Sequence, residues 1–211
     1  MITFEGIEGS GKTTQLVRVA KLLREDGHRV VETREPGGTP FAERVRELLL
    51  SSAVKPIAPE CEAFLILACR SQHVAHVIQP ALKEGAVVLC DRFSDSTLAY
   101  QGYARGLDLQ LLRKLDRFAT GRLTPDLTLL FDVPVPLGLA RRHGTEQNRL
   151  DRESRSFHEK VRQGFLALAA RHPRRIRVID GRSDPETIAA EVTSIVRRFL
   201  KTRRASKIRQ P

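Results

Sequence analysis

The residues Gly6-Ile7-Glu8-Gly9-Ser10-Gly11-Lys12-Thr13-Thr14 have the types and spacing needed to hold the phosphates of a nucleotide. In G-x-x-x-x-G-K-T the glycines let backbone N–H groups turn inward around a β-phosphate, and the helix that follows points its positive dipole end at the same anion. Lys12 then reaches the β- and γ-phosphates, and the Thr13 hydroxyl is placed to ligate Mg²⁺. The short run Ile2-Thr3-Phe4 supplies the strand that must precede such a loop.

Three further places have chemical meaning because they follow strands: Arg34-Glu35, Asp91-Arg92 and the region after Asp132. In an open parallel sheet, ligands bind outside the carboxyl ends of the strands. One lysine, at least two arginines and several acids around one crevice suit a second anionic substrate beside the nucleotide. A kinase with a phosphorylated acceptor needs those additional cations, whereas an ATPase needs one phosphate site and a positioned water. Asp91 is expected to help hold Mg²⁺ through water, and Arg92 to bridge donor and acceptor phosphates. The plainer reading of that pair is a surface ion pair. Arg34 and Arg46 are expected to clamp an acceptor phosphate, although Arg46 by spacing alone reads as a solvated helix charge.

These residues require strands alternating with helices. Leu16, Val19, Ala20 and Leu23 recur at helical spacing up to Asp26-Gly27, and His28 to Arg34 reads as a strand. Thr39-Pro40 caps a helix carrying Val45, Leu48 and Leu49. From Pro59 to Glu84 a long helical pattern runs through Phe64, Leu65, Leu67, Ala68, Val74, Val77 and Ile78, and Pro80 should kink or restart it. Ala86 to Cys90 is a continuous apolar run of the kind that a central parallel strand needs. Helical segments at Ser94 to Tyr103 and Asp108 to Thr120 precede a strand from Asp126 to Asp132. A short helix from Pro136 to Arg142, a polar mobile loop from His143 to Glu153, a helix through Phe157, Val161, Phe165 and Leu168, a strand from Arg175 to Asp180 and a helix capped at Asp184-Pro185-Glu186 complete the chain. The alternation predicts a parallel sheet with helices on both faces.

The 211 residues suit one domain, expected to span 1–200. No window approaches the roughly 18 apolar residues of a membrane span, and the strand at the N-terminus leaves no room for a signal peptide, so a cytoplasmic location and no membrane partner are expected. Cys61, Cys69 and Cys90 lack CxxC spacing and read as buried free thiols. Of the net charge of +11, seven units come from Lys and Arg between Arg197 and Pro211, which leaves +4 for the rest. Residues 201–211 therefore read as a basic tail whose contact with nucleic acid would be non-specific.

At Asp91-Arg92-Phe93-Ser94-Asp95-Ser96-Thr97-Leu98-Ala99-Tyr100-Gln101-Gly102, with the phosphate loop, Thr33-Arg34-Glu35-Pro36-Gly37-Gly38 and Arg149-Leu150-Asp151-Arg152, the sequence closely resembles bacterial thymidylate kinases. The match covers nearly the whole chain to about Leu200. The resemblance implies the nucleoside monophosphate kinase fold with a phosphate loop, a five-stranded parallel sheet, a short lid at about 142–153 and a homodimer. It implies transfer of the ATP γ-phosphoryl group to dTMP with Mg²⁺, giving dTDP and ADP. By the same resemblance, Glu8 lies near the acceptor's 3′-hydroxyl, and Arg34, Arg46 and Arg92 hold its phosphate. Arg70 reads the thymine carbonyl, Thr97 and Gln101 face the base, and Tyr100 crowds the 2′ position. Without the resemblance Arg70 reads as the polar face of a helix.

Because the phosphate loop itself has no arginine, the resemblance places the arginine that stabilises the transferring charge in the lid. Arg141, Arg142, Arg149 and Arg152 are its candidates, with Arg149 preferred. Ile66 stands where the family usually has a phenylalanine stacked on the base, and Phe64, about 200° away around a helix, cannot take over that face. A weaker hold on the base, or an aromatic from elsewhere, is expected. Phe93, where the family commonly has tyrosine or histidine, is a milder departure.

Overall fold

The computed structural model describes residues 1–53, 56–142 and 148–208, with side chains up to residue 203. Its strands, β1 (Ile2–Glu5), β2 (Val30–Arg34), β3 (Val87–Asp91), β4 (Leu127–Asp132) and β5 (Ile176–Asp180), form one parallel sheet in the order β2-β3-β1-β4-β5. Ile2 lies opposite Leu89 on one side and Leu127 on the other, so β1 is central and its carboxyl end opens where the strand order reverses.

Alternation along the strands separates two faces. Ile2, Phe4, Leu89, Leu127, Leu129 and Phe131 pack under α1 (Lys12–Glu25) and α9 (Pro185–Ile208), against Leu16, Val19, Leu23, Ile188, Val192 and Val196. The opposite face of β1 and β4 carries Thr3, Glu5 and Thr128, all fully or almost fully buried. They are satisfied locally: Thr3 and Thr128 hydroxyls lie 2.8 Å apart, and Arg175 bonds both Thr128 and the two carboxylate oxygens of Asp95.

Thr39 caps α2 (Pro40–Leu50) by accepting from the Ala42 amide at 3.2 Å. The long pattern after Pro59 is divided: α3 (Pro59–His73) passes into a π-helical turn (Val74–Ile78) and then α4 (Gln79–Lys83). Pro80 sits in the first turn of α4, so the irregularity falls in the turn before it, where the missing N–H and the ring's clash with the preceding carbonyl are accommodated. A second π-helical segment, Leu98–Ala104, continues α5 (Ser94–Thr97) and is followed by α6 (Leu109–Ala119), α7 (Val135–Ala140) and α8 (Arg155–Arg171).

Some expected core positions face outward. Leu48 on α2 and Phe64 on α3 are 55% and 60% exposed, because those helices turn Val45, Leu49, Glu62 and Arg70 inward instead. Cys61 is exposed, while Cys69 and Cys90 are buried, all as free thiols. The final helix runs past Leu200 to Ile208, and Arg203 pairs with Asp126, which also holds the N-terminal amine of Met1. Residues 209–211, including the basic Arg209, and residues 143–147 of the expected lid lie outside those described. No helix among the described residues is long and apolar enough to cross a membrane.

Thr39 sets the start of the helix that carries Arg46. Thr39→Ala should lower stability by about 1 kcal/mol, read as a lower denaturant midpoint with an unchanged slope.

Candidate active site

The phosphate loop is pressed against its surroundings. Gly9 has φ 70°, and a Cβ there would come within 2.0 Å of the Gly138 carbonyl oxygen, while one on Gly6 would lie 2.6 Å from that of Phe131. Only glycine fits either position. Lys12 folds back to donate to the Ile7 carbonyl at 3.2 Å. Burial, and next the Arg92 charge, push the Lys12 ammonium down to about 8, against the pull of Asp91, Glu8 and Glu5. The Thr13 hydroxyl donates to Asp91 Oδ2, and Asp91 Oδ1 is buried with no hydrogen-bond partner among the described residues.

Around the loop lies a crevice of about 490 Å³. Its walls include Glu8, Gly9, Gly11, Lys12, Thr13 and Thr14 from the loop and α1, Arg34 from β2, Arg46 from α2, Ile66 and Arg70 from α3 and Asp91-Arg92 from β3. Thr97, Tyr100 and Gln101 reach it from the junction of α5 and the π-helical segment. Gly6, Ile7 and Ser10 support the loop without lining the crevice.

The cations fall into two groups. Arg92 donates to Glu8 Oε1 at 3.0 Å, to the Gly6 carbonyl and to Ser96, with its guanidinium 5.0 Å from the centre of the Tyr100 ring. Arg70, only 1% exposed, is gripped by Glu35 at 2.6 Å and Asp116 at 2.7 Å and lies over the Phe93 ring. His73 supports Glu35 at 3.0 Å, and Ser94 supports Asp116. Arg34 pairs with Glu43, whereas the Arg46 bond goes to the Pro36 carbonyl at 2.8 Å. Burial, followed by the charge of Arg34, pushes Arg46 down. Glu43 and Asp91 pull the other way.

Glu8 is the counter-charge at the centre. Its Oε1 also accepts from the Tyr100 hydroxyl at 2.5 Å. Burial opposes its ionisation, but Arg92, His158, Lys12 and Tyr100 outweigh burial and hold the carboxyl well below the usual carboxylate range.

Arg149 does not line the crevice. It is buried, donates to the Leu49 carbonyl at 2.9 Å and pairs closely with Glu62. Glu62 is a junction: it also accepts from Gln101 at 2.8 Å and from Arg105, which reaches Glu153. A buried carboxylate draws the nearest guanidinium inward, so Arg149, the preferred lid arginine, is turned to Glu62 here. Arg141, Arg142 and Asp151 do line the crevice, with Arg142 paired to Asp151 at 2.9 Å.

A sequence model of the family described as thymidylate kinase matches residues 4–192. The chain belongs to the thymidylate kinase family. It is 54% identical over 202 residues to the thymidylate kinase of Geobacter sulfurreducens, covering 92% of this chain and 95% of the relative. To that of Thermomicrobium roseum it is 52% identical over 207 residues, covering 97% and 98%. The crystal structure of thymidylate kinase from Ehrlichia chaffeensis superposes with a TM-score of 0.76 at 36% identity, over 93% of this chain and 97% of that one. The fold is accordingly the nucleoside monophosphate kinase fold with a phosphate loop.

Membership of the thymidylate kinase family leaves several supporting residues that sequence reading did not single out. Glu35 stood beside Arg34 at a strand end, a signal of position without a role. Glu62, in the first turn of α3, reads as an ordinary helix-start acid and Asp116, near the end of α6, has no local signal; their partners lie 87 and 46 residues away. Glu5 closes β1 and accepts from the Phe93 amide at 2.8 Å and the Ser96 hydroxyl at 2.6 Å, so it holds the turn that presents Arg92.

Burial, then the Asp95 charge, push the Glu5 carboxyl up to about 8 from 4.5, against Ser96, Arg92 and the Phe93 amide. Between these values the folded chain keeps a proton that the unfolded chain releases, so this group lowers stability as pH rises from about 4.5 to about 8. Glu5→Gln removes the titration, with its oxygen accepting from the Phe93 amide and its NH₂ donating to a turned Ser96 hydroxyl. The variant should gain stability over the parent across pH 5 to 8, by up to about 1 kcal/mol per pH unit. Parallel denaturation curves that keep a constant offset over that range would contradict this.

Proposed function

We infer that the chain transfers the γ-phosphoryl group of ATP to dTMP, yielding dTDP and ADP. The observation that carries this reading is the convergence, in a chain of this family, of a phosphate loop, a strand-end Asp91-Arg92 pair and a second set of cations on one crevice. Lys12 and the loop amides take the donor phosphates. Arg34, Arg46 and Arg92, all on the crevice wall, take the acceptor phosphate. Such an enzyme works by positioning and charge neutralisation.

Thr13 and Asp91 fit Mg²⁺: both offer hard oxygen donors, and a single carboxylate with an orphaned oxygen suits an ion that otherwise binds phosphates and water. Bound there, Mg²⁺ would neutralise charge on the donor phosphates. On the acceptor side, Glu8 meets the sugar 3′-hydroxyl and Tyr100, tied to Glu8, crowds the 2′ position. Arg70, fixed by two carboxylates, presents its fork to the thymine carbonyl, with Thr97 and Gln101 beside it. Arg141 and Arg142, on the crevice wall, are better placed than Arg149 to meet charge on the transferred group.

The outward residues on three adjacent helices support a homodimer. Phe41 and Leu48 on α2, Phe64 on α3 and Leu111 and Phe118 on α6 are all more than half exposed, and α2 and α6 both pack against α3. Exposed large apolar side chains on neighbouring helices suit a second copy of the chain.

An ADP-release assay with ATP, Mg²⁺ and each nucleoside monophosphate in turn tests the reaction. Turnover should be confined to dTMP, with dUMP poorer; equal or better turnover with another monophosphate would overturn the assignment of the base side. Ile66 is the wall residue at the position that usually stacks, and the one aromatic side chain on the crevice wall among the described residues is Tyr100, which is tied to Glu8. Ile66→Phe should therefore lower the KM for dTMP about fivefold. A KM that is unchanged or raised would count against the weaker hold on the base.

A further inference from the structure

His158, on α8, is fully buried, and neither ring nitrogen has a hydrogen-bond partner among the described residues. Its Nδ1 lies 3.2 Å from Glu8 Oε2, an ion-pair separation that is out of line for a hydrogen bond. Burying an imidazole without partners is unfavourable, so packing alone would select an apolar side chain at this position. The neighbouring positions of α8 show what packing does select. Phe157 and Phe165 meet the Tyr100 ring edge-on at 6.1 and 6.2 Å, and Val161 is fully buried between them. Among these residues, His158 alone is polar, and its Nδ1 lies against the Glu8 carboxylate.

The two oxygens of Glu8 have different surroundings. Oε1 is occupied from the crevice side by Arg92 and Tyr100. Oε2 points away from solvent with no hydrogen-bond partner and has His158 behind it. Two donors on one oxygen leave the carboxylate free to swing about that oxygen; a third group 3.2 Å from the other oxygen limits that swing.

We propose that His158 is a positioning residue that holds the Glu8 carboxylate from behind, setting the orientation in which Glu8 meets the sugar hydroxyl of the acceptor, and so contributes to the preference for acceptors bearing a 3′-hydroxyl. The inference rests on the reading of Glu8 given above. His158 does not line the crevice, so it acts on a substrate held there only through Glu8. A small rotation of the carboxylate, induced by the incoming hydroxyl, would bring Oε2 into line with an Nδ1–H donor.

The test compares kcat and KM for dTMP and for 3′-deoxy-dTMP, which lacks the hydroxyl, at saturating ATP and Mg²⁺. The quantity read is the ratio of the two kcat/KM values within one protein, so partial loss of folded enzyme cancels. Glu8→Ala should collapse the ratio towards one. His158→Leu should reduce it about tenfold, mainly through a higher KM for dTMP, with 3′-deoxy-dTMP almost unaffected. His158→Asn, which keeps a donor near the place of Nδ1, should recover most of the ratio. If Glu8→Ala leaves the ratio intact, the reading of Glu8 fails and the inference with it. If Glu8→Ala collapses the ratio while His158→Leu leaves it unchanged, slowing both substrates alike or neither, Glu8 keeps its role and the inference about His158 is overturned.

Discussion

Several cations brought to one crevice must be kept apart until a polyanion arrives, and the arrangement at the carboxyl edge of the sheet follows from that constraint. A guanidinium withdrawn from water without a counter-charge is strongly unfavourable. Arg92 therefore has Glu8, Arg70 has Glu35 and Asp116, and Arg34 has Glu43. Lys12 and Arg46 differ, because their hydrogen bonds go to the carbonyls of Ile7 and Pro36. Those are also the two cations that burial and like charge push downward. The carboxylate-paired arginines are held in fixed orientations before a ligand binds. The two carbonyl-bonded cations hold the unbalanced charge that phosphates would complete, one on the donor side and one on the acceptor side.

The sheet makes this geometry available by being polar on one face at its centre. A parallel strand covered on both sides is ordinarily apolar throughout. β1 instead buries Thr3 and Glu5 on the side opposite Ile2 and Phe4, and β4 matches them with Thr128. Asp95 and Arg175 complete the cluster, joining the start of α5 to the start of β5. Because every one of these groups has a partner, the cluster sets the register of β1 against β4 and of the Phe93-Ser96 turn above them. The phosphate loop leaves from Glu5 and Arg92 leaves from that turn, so donor and acceptor sites share one foundation.

What was legible in the sequence was whatever is encoded by local spacing. The phosphate loop, the strand ends at Arg34 and Asp91, the Thr39 cap and the alternation of strands and helices all depend on residues a few positions apart. What was not legible depends on pairings across the fold. Leu48 and Phe64 satisfy a helical period as core residues do, yet they face outward: α2 buries Val45 and Leu49 instead, and on α3 Glu62 and Arg70 are drawn inward by Arg149, Glu35 and Asp116. The π-helical turns at Val74–Ile78 and Leu98–Ala104 have no periodic signature of their own. The pairing of Arg149 with Glu62 was hidden for the same reason: an arginine in a charged segment gives no sign of which acid will hold it. The resemblance identified the crevice residues, but the carboxylates that hold them emerged only from the structure.

Arg92 shows how this support is used. Its backbone is left-handed at φ 71°, an unfavourable conformation for a side chain with a Cβ, costing roughly 1 kcal/mol or more. Such a conformation persists where its surroundings over-determine it. Here the Arg92 amide bonds the Phe4 carbonyl at 3.0 Å, the next amide bonds Glu5, and the guanidinium is held by Gly6, Ser96 and Glu8. A right-handed or extended backbone would send the chain along a different path from the strand end, and the side chain could not cross back to the phosphate loop. The strain is thus tied to one outcome, an arginine standing between the donor loop and the acceptor clamp with its orientation set before either substrate binds. For a reaction that depends on positioning and on charge neutralisation, that prior orientation is the contribution the fold can make.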